Sequence, residues 1–346
     1  MSAEPLAATD PACYRRQSSV AIAKPRKVLG VVYADAGAPR MFTSWKMRAG
    51  PSGLHLFDRR TGANVLLDEV EIPPQSWATA PRQVSISLTN TCDLSCRFCF
   101  APKHRAELPF DKLTAWLTEL DSEGCLGVGF GGGEPTKYPR FVELCRFTTS
   151  ATRLAVTFTT HGHSFDVPLA DALRESVHFV RVSMDGVGTT YESLRSRSFL
   201  DLVKRLELVR SVAPFGINYV VNAQTLPCLD SAAALAADSG ATEILLLPER
   251  GKGPNAAKDS VSEAGLRRWI DGYRGAVALS VSELDSDGLP TCSPFVGESG
   301  LAAYAHVDAE GVLRRTSFER DGVSIGDGGI LQALGKLKEG WEGDKR

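Results

Sequence analysis

The chain has no charge surplus of either sign: 39 Lys and Arg stand against 41 Asp and Glu in 346 residues, a formal net charge of −2. Proteins that grip phosphate backbones need a basic excess, so no nucleic-acid partner is expected. Long apolar runs are missing too. None approaches the roughly 20 residues of a membrane span, and no apolar segment follows Met1 as in a secretory signal. Neither a membrane partner nor secretion is expected, and a cytoplasmic setting follows. Low-complexity tracts and long repeats are likewise lacking. What remains is an ordinary globular composition, 43% hydrophobic and 23% charged, which excludes a wholly disordered or collagen-like chain.

Cysteine is sparse, with eight in the chain, and a long chain without a signal makes a poor disulfide framework. Three of the eight nevertheless crowd into eight residues, as Cys92-Asp-Leu-Ser-Cys96-Arg-Phe-Cys99. At this cysteine frequency a chance C-x3-C-x2-C arises about 0.4% of the time. Thiolates suit zinc or iron–sulfur clusters. Structural zinc wants four ligands, and the motif offers three, with His104 near enough in sequence to be a fourth. Three ligands alone leave one metal position open, which suits catalysis. Cys125, Cys145 and Cys228 fall in helical or pre-strand segments and read as core.

The rest of the chain falls into four parts. Residues 1–25 are small, polar and proline-containing, and a mobile tail is expected. Residues 26–82 form a small strand-rich appendage: a short apolar run over 28–33, then a hairpin with Leu54-His-Leu-Phe57 and Asn64-Val-Leu-Leu67 flanking Asp58-Arg-Arg-Thr-Gly62. From 83 to 250 strands and helices alternate. Strands are predicted over 84–88, 127–130, 154–159, 179–183, 216–221 and 243–247, with helices between them. This is an α/β fold with a parallel sheet and right-handed crossovers. Periodicity leaves two closures open, a doubly wound sheet and a (β/α) barrel. Residues 251–346 form a C-terminal cap, with a helix over 262–276, a hairpin around Asp308-Ala-Glu-Gly311 and a short terminal helix over 330–337.

The cysteine motif follows the first strand of the alternating series, where ligands of a parallel sheet gather. There Cys92, Cys96 and Cys99 resemble the cluster motif of the radical S-adenosylmethionine (SAM) superfamily. The likeness continues through the next strand ends. Gly132-Gly133-Glu134-Pro135 is similar to the family's Gly-Gly-Glu-Pro loop. Thr160 matches its Thr-Asn-Gly step, with His161 in place of Asn. Ser183-Met-Asp-Gly186 is similar to Ser-x-Asp-Gly, and Arg195 matches the arginine of a following Arg-Gly pair in which Ser196 replaces glycine. Phe98 stands where an aromatic residue lies near adenine, and Asn222 ends the fifth strand as a polar contact.

The resemblance implies a partial (β/α)6 TIM-type barrel with a [4Fe–4S] cluster on the three cysteines. It makes Phe98, Gly132, Gly133, Glu134, Pro135, Thr160, Ser183, Arg195 and Asn222 contacts of SAM. It further implies reductive cleavage of SAM to a 5′-deoxyadenosyl radical that takes hydrogen from a substrate, and a separate electron donor such as flavodoxin or ferredoxin. The C-terminal part resembles the SPASM or twitch extension of some relatives. Cys292 and the Asp308 to Gly311 turn match, but Thr316 replaces the next cysteine, so a cap without a second cluster is expected. Such extensions favour a peptide or protein substrate. The missing second cluster and the absence of a helical leader-binding domain favour a sugar or nucleotide, and a non-catalytic cluster or zinc protein is the alternative class. No acid, base or radical relay is legible.

Overall fold

In the computed structural model, residues 44–250, 260–282, 285–289, 291, 295 and 297–344 are described. The expected tail, the apolar run over 28–33, Cys13 and Cys292 lie outside the described residues. An antiparallel sheet of three strands comes first: β1 (Trp45–Gly50), β2 (Gly53–Asp58) and β3 (Asn64–Leu67). The β2–β3 hairpin is the expected one, its turn tied by Asp58 Oδ2 accepting from Thr61 Oγ1 at 2.6 Å. β1 was not legible, because Lys46 and Arg48 alternate into the interior of the protein and disguise the strand period.

Arg48 anchors this sheet. Its guanidinium donates to the Ala80 and Gly124 carbonyls, each at 2.9 Å, and to Ala302 O at 3.2 Å. It also pairs with Glu298 at 3.2 Å, with side chains 2% and 5% exposed. One fully engaged guanidinium therefore joins the first sheet to the entrance of the barrel and to the C-terminal part.

The barrel strands follow as β4 (Gln83–Thr89), β5 (Gly127–Gly132), β6 (Ala155–Thr160), β7 (Phe179–Ser183), β8 (Phe215–Val221) and β9 (Glu243–Pro248). They pair in chain order, every pair parallel. Between them lie α1 (Phe110–Ser122), α2 (Phe141–Ala151), α3 (Val167–Leu173), α4 (Gly188–Arg195), α5 (Phe199–Val212) and α6 (Leu229–Asp238). α1 shows how the layers form: Leu113, Trp116, Leu117 and Leu120, at helical spacing, face the sheet and are buried. Opposite them Val84, Ile86 and Leu88 of β4 are fully buried.

The C-terminal part extends this sheet at both ends. After α7 (Ser260–Gly272), β10 (Ala278–Val281) pairs parallel with β9. β11 (Tyr304–Val307) pairs parallel with β4 and leads through the expected hairpin into β12 (Val312–Arg314) and β13 (Val323–Ser324). The ten-stranded order β10-β9-β8-β7-β6-β5-β4-β11-β12-β13 leaves β10 and β13 as edges, so the barrel is partial. α8 (Gly329–Asp344) packs on α1, where the Glu119 carboxylate accepts from the N–H groups of Ile330 and Leu331 at 2.9 and 3.1 Å.

Two histidines in this frame are held neutral. His178 Nδ1 accepts from Val156 N–H at 2.9 Å, and His306 lies 3.0 Å from Ser85 Oγ across the β4–β11 pair. Burial pushes both down to about 4, helped at His178 by Arg59. The unfolded chain protonates these rings at about 6.5, so acid draws the equilibrium towards it. Their contribution to stability should be intact above that value, fall as the pH drops below it, and be lost once the pH has passed through about 4. Urea midpoints measured at a series of pH values should decline across this window; a flat profile would contradict the neutral assignment.

Candidate active site

A parallel sheet puts the carboxyl ends of all its strands on one side, so the segments after Thr89, Gly132, Thr160, Ser183, Val221 and Pro248 share a face. The longest of them, 90–107, carries the three cysteines, each half-buried. Backbone bonds close its base: Asn90 N–H donates to Ala106 O at 3.0 Å, and Thr89 bridges to Glu107. Within it Cys99 N–H donates to Cys96 O at 3.2 Å and Leu94 N–H to Cys92 Sγ at 3.4 Å. Arg97 reaches across to hydrogen-bond Gln224 beyond β8.

Asp93, next to Cys92, ties this loop to three other segments. Its carboxylate meets His161 Nε2 at 2.9 Å, Arg197 Nη2 at 3.4 Å and Lys137 Nζ at 3.9 Å. Burial alone would raise the Asp93 carboxyl, but His161 and Lys137 bring it below the ordinary carboxylate range. This role was missed in the sequence, where an acid beside a cysteine reads as a solvated charge.

The glycine loop after β5 is built against the cysteine loop's own backbone. Gly133 N–H donates to Thr89 O at 2.7 Å and Glu134 N–H to Thr91 O at 2.8 Å. A Cβ on Gly133 would lie 2.4 Å from Thr91 O, and one on Gly132, at φ +124°, 2.2 Å from Thr89 O. Close approach is thus the reason for both glycines, and what they approach is neighbouring chain. Pro135 follows, buried, at the start of a single 3-10 turn.

Glu134 points inward. Its side chain is 1% exposed. One oxygen accepts from Thr160 Oγ1 at 2.9 Å and Thr136 Oγ1 at 2.8 Å; the other accepts from His161 N–H at 2.9 Å and lies 3.3 Å from His161 Nε2. Thr160 Oγ1 in turn accepts from Gly162 N–H at 3.0 Å. The carboxylate therefore sets the shape of two loops. His161, whose role the sequence left open, joins Glu134 to Asp93, while its Nδ1 accepts from His163 N–H at 3.1 Å. His163 Nε2 lies 2.7 Å from Tyr191 Oη, and burial pushes this histidine down to about 4.

Arg195 is organised by a second buried carboxylate. Asp185, fully buried after β7, accepts from Arg195 Nε at 2.7 Å and from Val220 N–H at 2.7 Å. Burial works against the Arg195 charge, yet Asp185 and Cys96 outweigh it and hold the guanidinium firmly protonated. Its carbon lies 5.4 Å from the centre of the Phe98 ring, so Phe98 and Arg195 share one spot beside Cys96. Ser196 follows in the left-handed region, φ 54°, where the family's glycine sits without strain and serine does not. Ser183, partly buried at the end of β7, has no hydroxyl partner among the described residues. Asn222 is occupied: its Oδ1 accepts from Gln224 and Thr225 N–H at 2.9 and 3.0 Å, and its Nδ2 donates to Glu249 at 2.6 Å.

The donor set bears on which metal group these residues could hold. A tetrahedral zinc with about 2.3 Å bonds needs sulfurs within about 4 Å of one another. Among the described residues the only three-ligand group with atoms within 4.8 Å is Cys92, Asp93 and His161, not the three cysteines. In a cluster each thiolate binds a different iron, so the three sulfurs need not meet at one point. His104, the candidate fourth zinc ligand, is 55% exposed and lies 3.3 Å from Glu310 Oε1. Burial raises the Cys92 and Cys96 thiols, a shift that bound cationic iron would reverse. Cys125 and Cys145 are fully buried and Cys228 is half-buried, 3.6 Å from Thr190 Oγ1.

Replacing Glu134 by Ala removes the acceptor for two hydroxyls and two N–H groups, of Thr136 and His161, in a buried site, which should cost about 3 kcal/mol. Denaturant unfolding of the metal-free chain should read this loss, with Glu134→Gln intermediate. A variant within about 1 kcal/mol of the parent would show that the carboxylate does not organise these loops.

Residues 86–224 match the radical SAM superfamily. Mycofactocin maturase MftC of Mycolicibacterium smegmatis is 32% identical over 233 residues, 65% of this chain and 57% of its own length. The AdoMet-dependent heme synthase of Methanosarcina barkeri is 28% identical over 230 residues, 63% of this chain and 64% of its own. The chain thus spans less than two thirds of either relative. Streptococcus suis SuiB has the same fold: bound to S-adenosylmethionine it gives a TM-score of 0.64 over 79% of this chain and 81% of that one, at 15% identity. With precursor peptide SuiA bound it gives 0.62 over 80% and 83%, at 13% identity. The matched residues run from within β4 to the turn after β8, so the stretch that builds this face is the part of the chain that is similar to the radical SAM superfamily.

Proposed function

We propose that the protein is a radical SAM enzyme with one catalytic [4Fe–4S] cluster on Cys92, Cys96 and Cys99. The observation that carries the reading is three half-buried cysteines on one loop, which Asp93 and Arg97 hold to the carboxyl ends of β5, β6 and β8. Cluster and SAM, when bound, supply the 5′-deoxyadenosyl radical that abstracts hydrogen from substrate.

The chain's own residues bind and orient. Arg195, kept charged by Asp185, offers a guanidinium for the SAM carboxylate, with Phe98 beside it for the adenine. Gly132, Gly133, Glu134 and Pro135 present backbone for the methionine amine, and Thr160 is held ready by Glu134. The Ser183 hydroxyl is available to the ribose or methionine portion, and Asn222 stands at the next strand end. The buried floor of the barrel excludes water from the reacting bond.

Residues 83–250 carry this chemistry, and 26–82 and 251–346 shape access to it. A one-electron donor such as flavodoxin or ferredoxin is required, in a reducing cytoplasmic setting. No helix among the described residues is long and apolar enough to cross a membrane. The substrate is a peptide or protein. SuiB binds a precursor peptide on this fold, and β10 and β13 are left as unpaired edges of the sheet. The heme synthase supports a small molecule as the second reading.

Anaerobically reconstituted protein given dithionite and SAM should release 5′-deoxyadenosine, seen by chromatography, even slowly without substrate. Deuterium from a labelled peptide should appear in it. No deoxyadenosine from protein with full iron and sulfide content would leave a non-catalytic iron–sulfur protein.

A further inference from the structure

Side chains from opposite ends of the ten-stranded sheet meet beside the cysteine loop. Phe318 lies between β12 and β13, near one edge; Arg250 lies two residues beyond β9, one strand from the other edge. The Arg250 guanidinium carbon is 5.2 Å from the centre of the Phe318 ring. That ring is 5.2 Å from the ring of Phe100, the residue after Cys99. The turn carrying Phe318 is fixed, with Thr316 Oγ1 accepting from the N–H groups of Phe318 and Glu319, each at 3.3 Å. Asp285 fixes the guanidinium, accepting from Nη2 at 2.6 Å, and its other oxygen accepts from Ser282 Oγ at 2.5 Å.

Two features of this group are unusual. Phe100 and Phe318 are large apolar rings left 53% and 46% exposed. Arg250 Nε is buried and has no hydrogen-bond partner among the described residues. Buried guanidinium donors are nearly always paired, so this one marks a bond still to be made. The charge of Arg250 is already met by Asp285. A second carboxylate would be repelled there, whereas a neutral carbonyl would not.

Resting on the reading of this face as the substrate site, we propose that Arg250, Phe100 and Phe318 form a substrate-anchoring subsite that takes an amide carbonyl next to an apolar side chain. Nε is buried with the Phe318 ring beside the guanidinium, and the ring moves aside as the carbonyl enters. The two rings then flank the neighbouring side chain. Arg250 is a specificity residue for an extended peptide strand lying across the gap in the barrel.

The test is binding of blocked tripeptides to the full chain loaded with cluster and SAM, without reductant. The probe is N-acetyl-Ala-(4-fluoro-Phe)-Ala amide, followed by fluorine NMR, with calorimetry for unlabelled competitors. The blocked Phe tripeptide should bind about tenfold more tightly than its all-Ala counterpart and than N-acetyl-phenylalanine with its free carboxylate. Arg250→Lys keeps a charge facing Asp285 but deletes Nε; it should weaken the tripeptide about tenfold at an unchanged thermal midpoint, as should Phe318→Ala. Tighter binding of the free acid would make this a carboxylate site for a small molecule and overturn the proposal. So would an Arg250→Lys affinity within about twofold of the parent. Binding is read without SAM cleavage, so its failure leaves the deoxyadenosine result standing, and the reverse also holds.

Discussion

A single buried carboxylate, that of Glu134, fixes the relation between the loops that follow β4, β5 and β6. It is 1% exposed and accepts from Thr136, Thr160 and the His161 backbone. A charge at such depth is costly unless fully hydrogen-bonded, so its partners have little freedom to move apart. Through His161 the constraint passes to Asp93 and so to the residue beside Cys92. Asp185 does the same for β7, β8 and α4, holding Arg195 and the Val220 N–H. The site is therefore shaped by two inward carboxylates, with the cysteine loop and the charged guanidinium hung from them before anything binds.

Electrostatics on this face is arranged in layers. The carboxylates lie innermost, paired with His161 and Arg195; the thiols lie half-buried outside them. Arg97, Lys137 and Arg197 then form an exposed rim in a chain whose total charge is close to zero. Negative charge nevertheless reaches the sulfurs: the Asp93 carboxylate lies within 4.8 Å of Cys92 Sγ, and with burial and Glu134 it raises that thiol, while the rim presents cations towards anything approaching from solvent.

Much of this was legible because burial imposed periods on the sequence. The six barrel strands and α6 fall where alternation and helical spacing place them. The residues that were not legible have identifiable reasons. α4 contains Gly188, Thr189 and Thr190, weak helix formers, and is helical because Tyr191 and Leu194 are buried. β11 joins β4 across more than two hundred residues, and nothing local encodes a parallel pairing at that distance. Asp93 and Asp185 sit within motifs that named their neighbours, but their partners His161 and Arg195 come from other segments, and only the closed fold brings them together. The close packing of the glycines after β5 against Thr89 and Thr91 was not legible, because it is made between two strand ends that only the sheet brings together.

The central claim is that Cys92, Cys96 and Cys99 hold one cluster whose remaining iron is open to SAM. Electron paramagnetic resonance of the anaerobically reduced protein, recorded with and without SAM, tests it most directly. A single [4Fe–4S]⁺ signal whose g-values shift on adding SAM is the predicted result, with the signal lost when the three cysteines are replaced by Ala. A signal unchanged by SAM, or one that persists in the triple variant, would contradict the account.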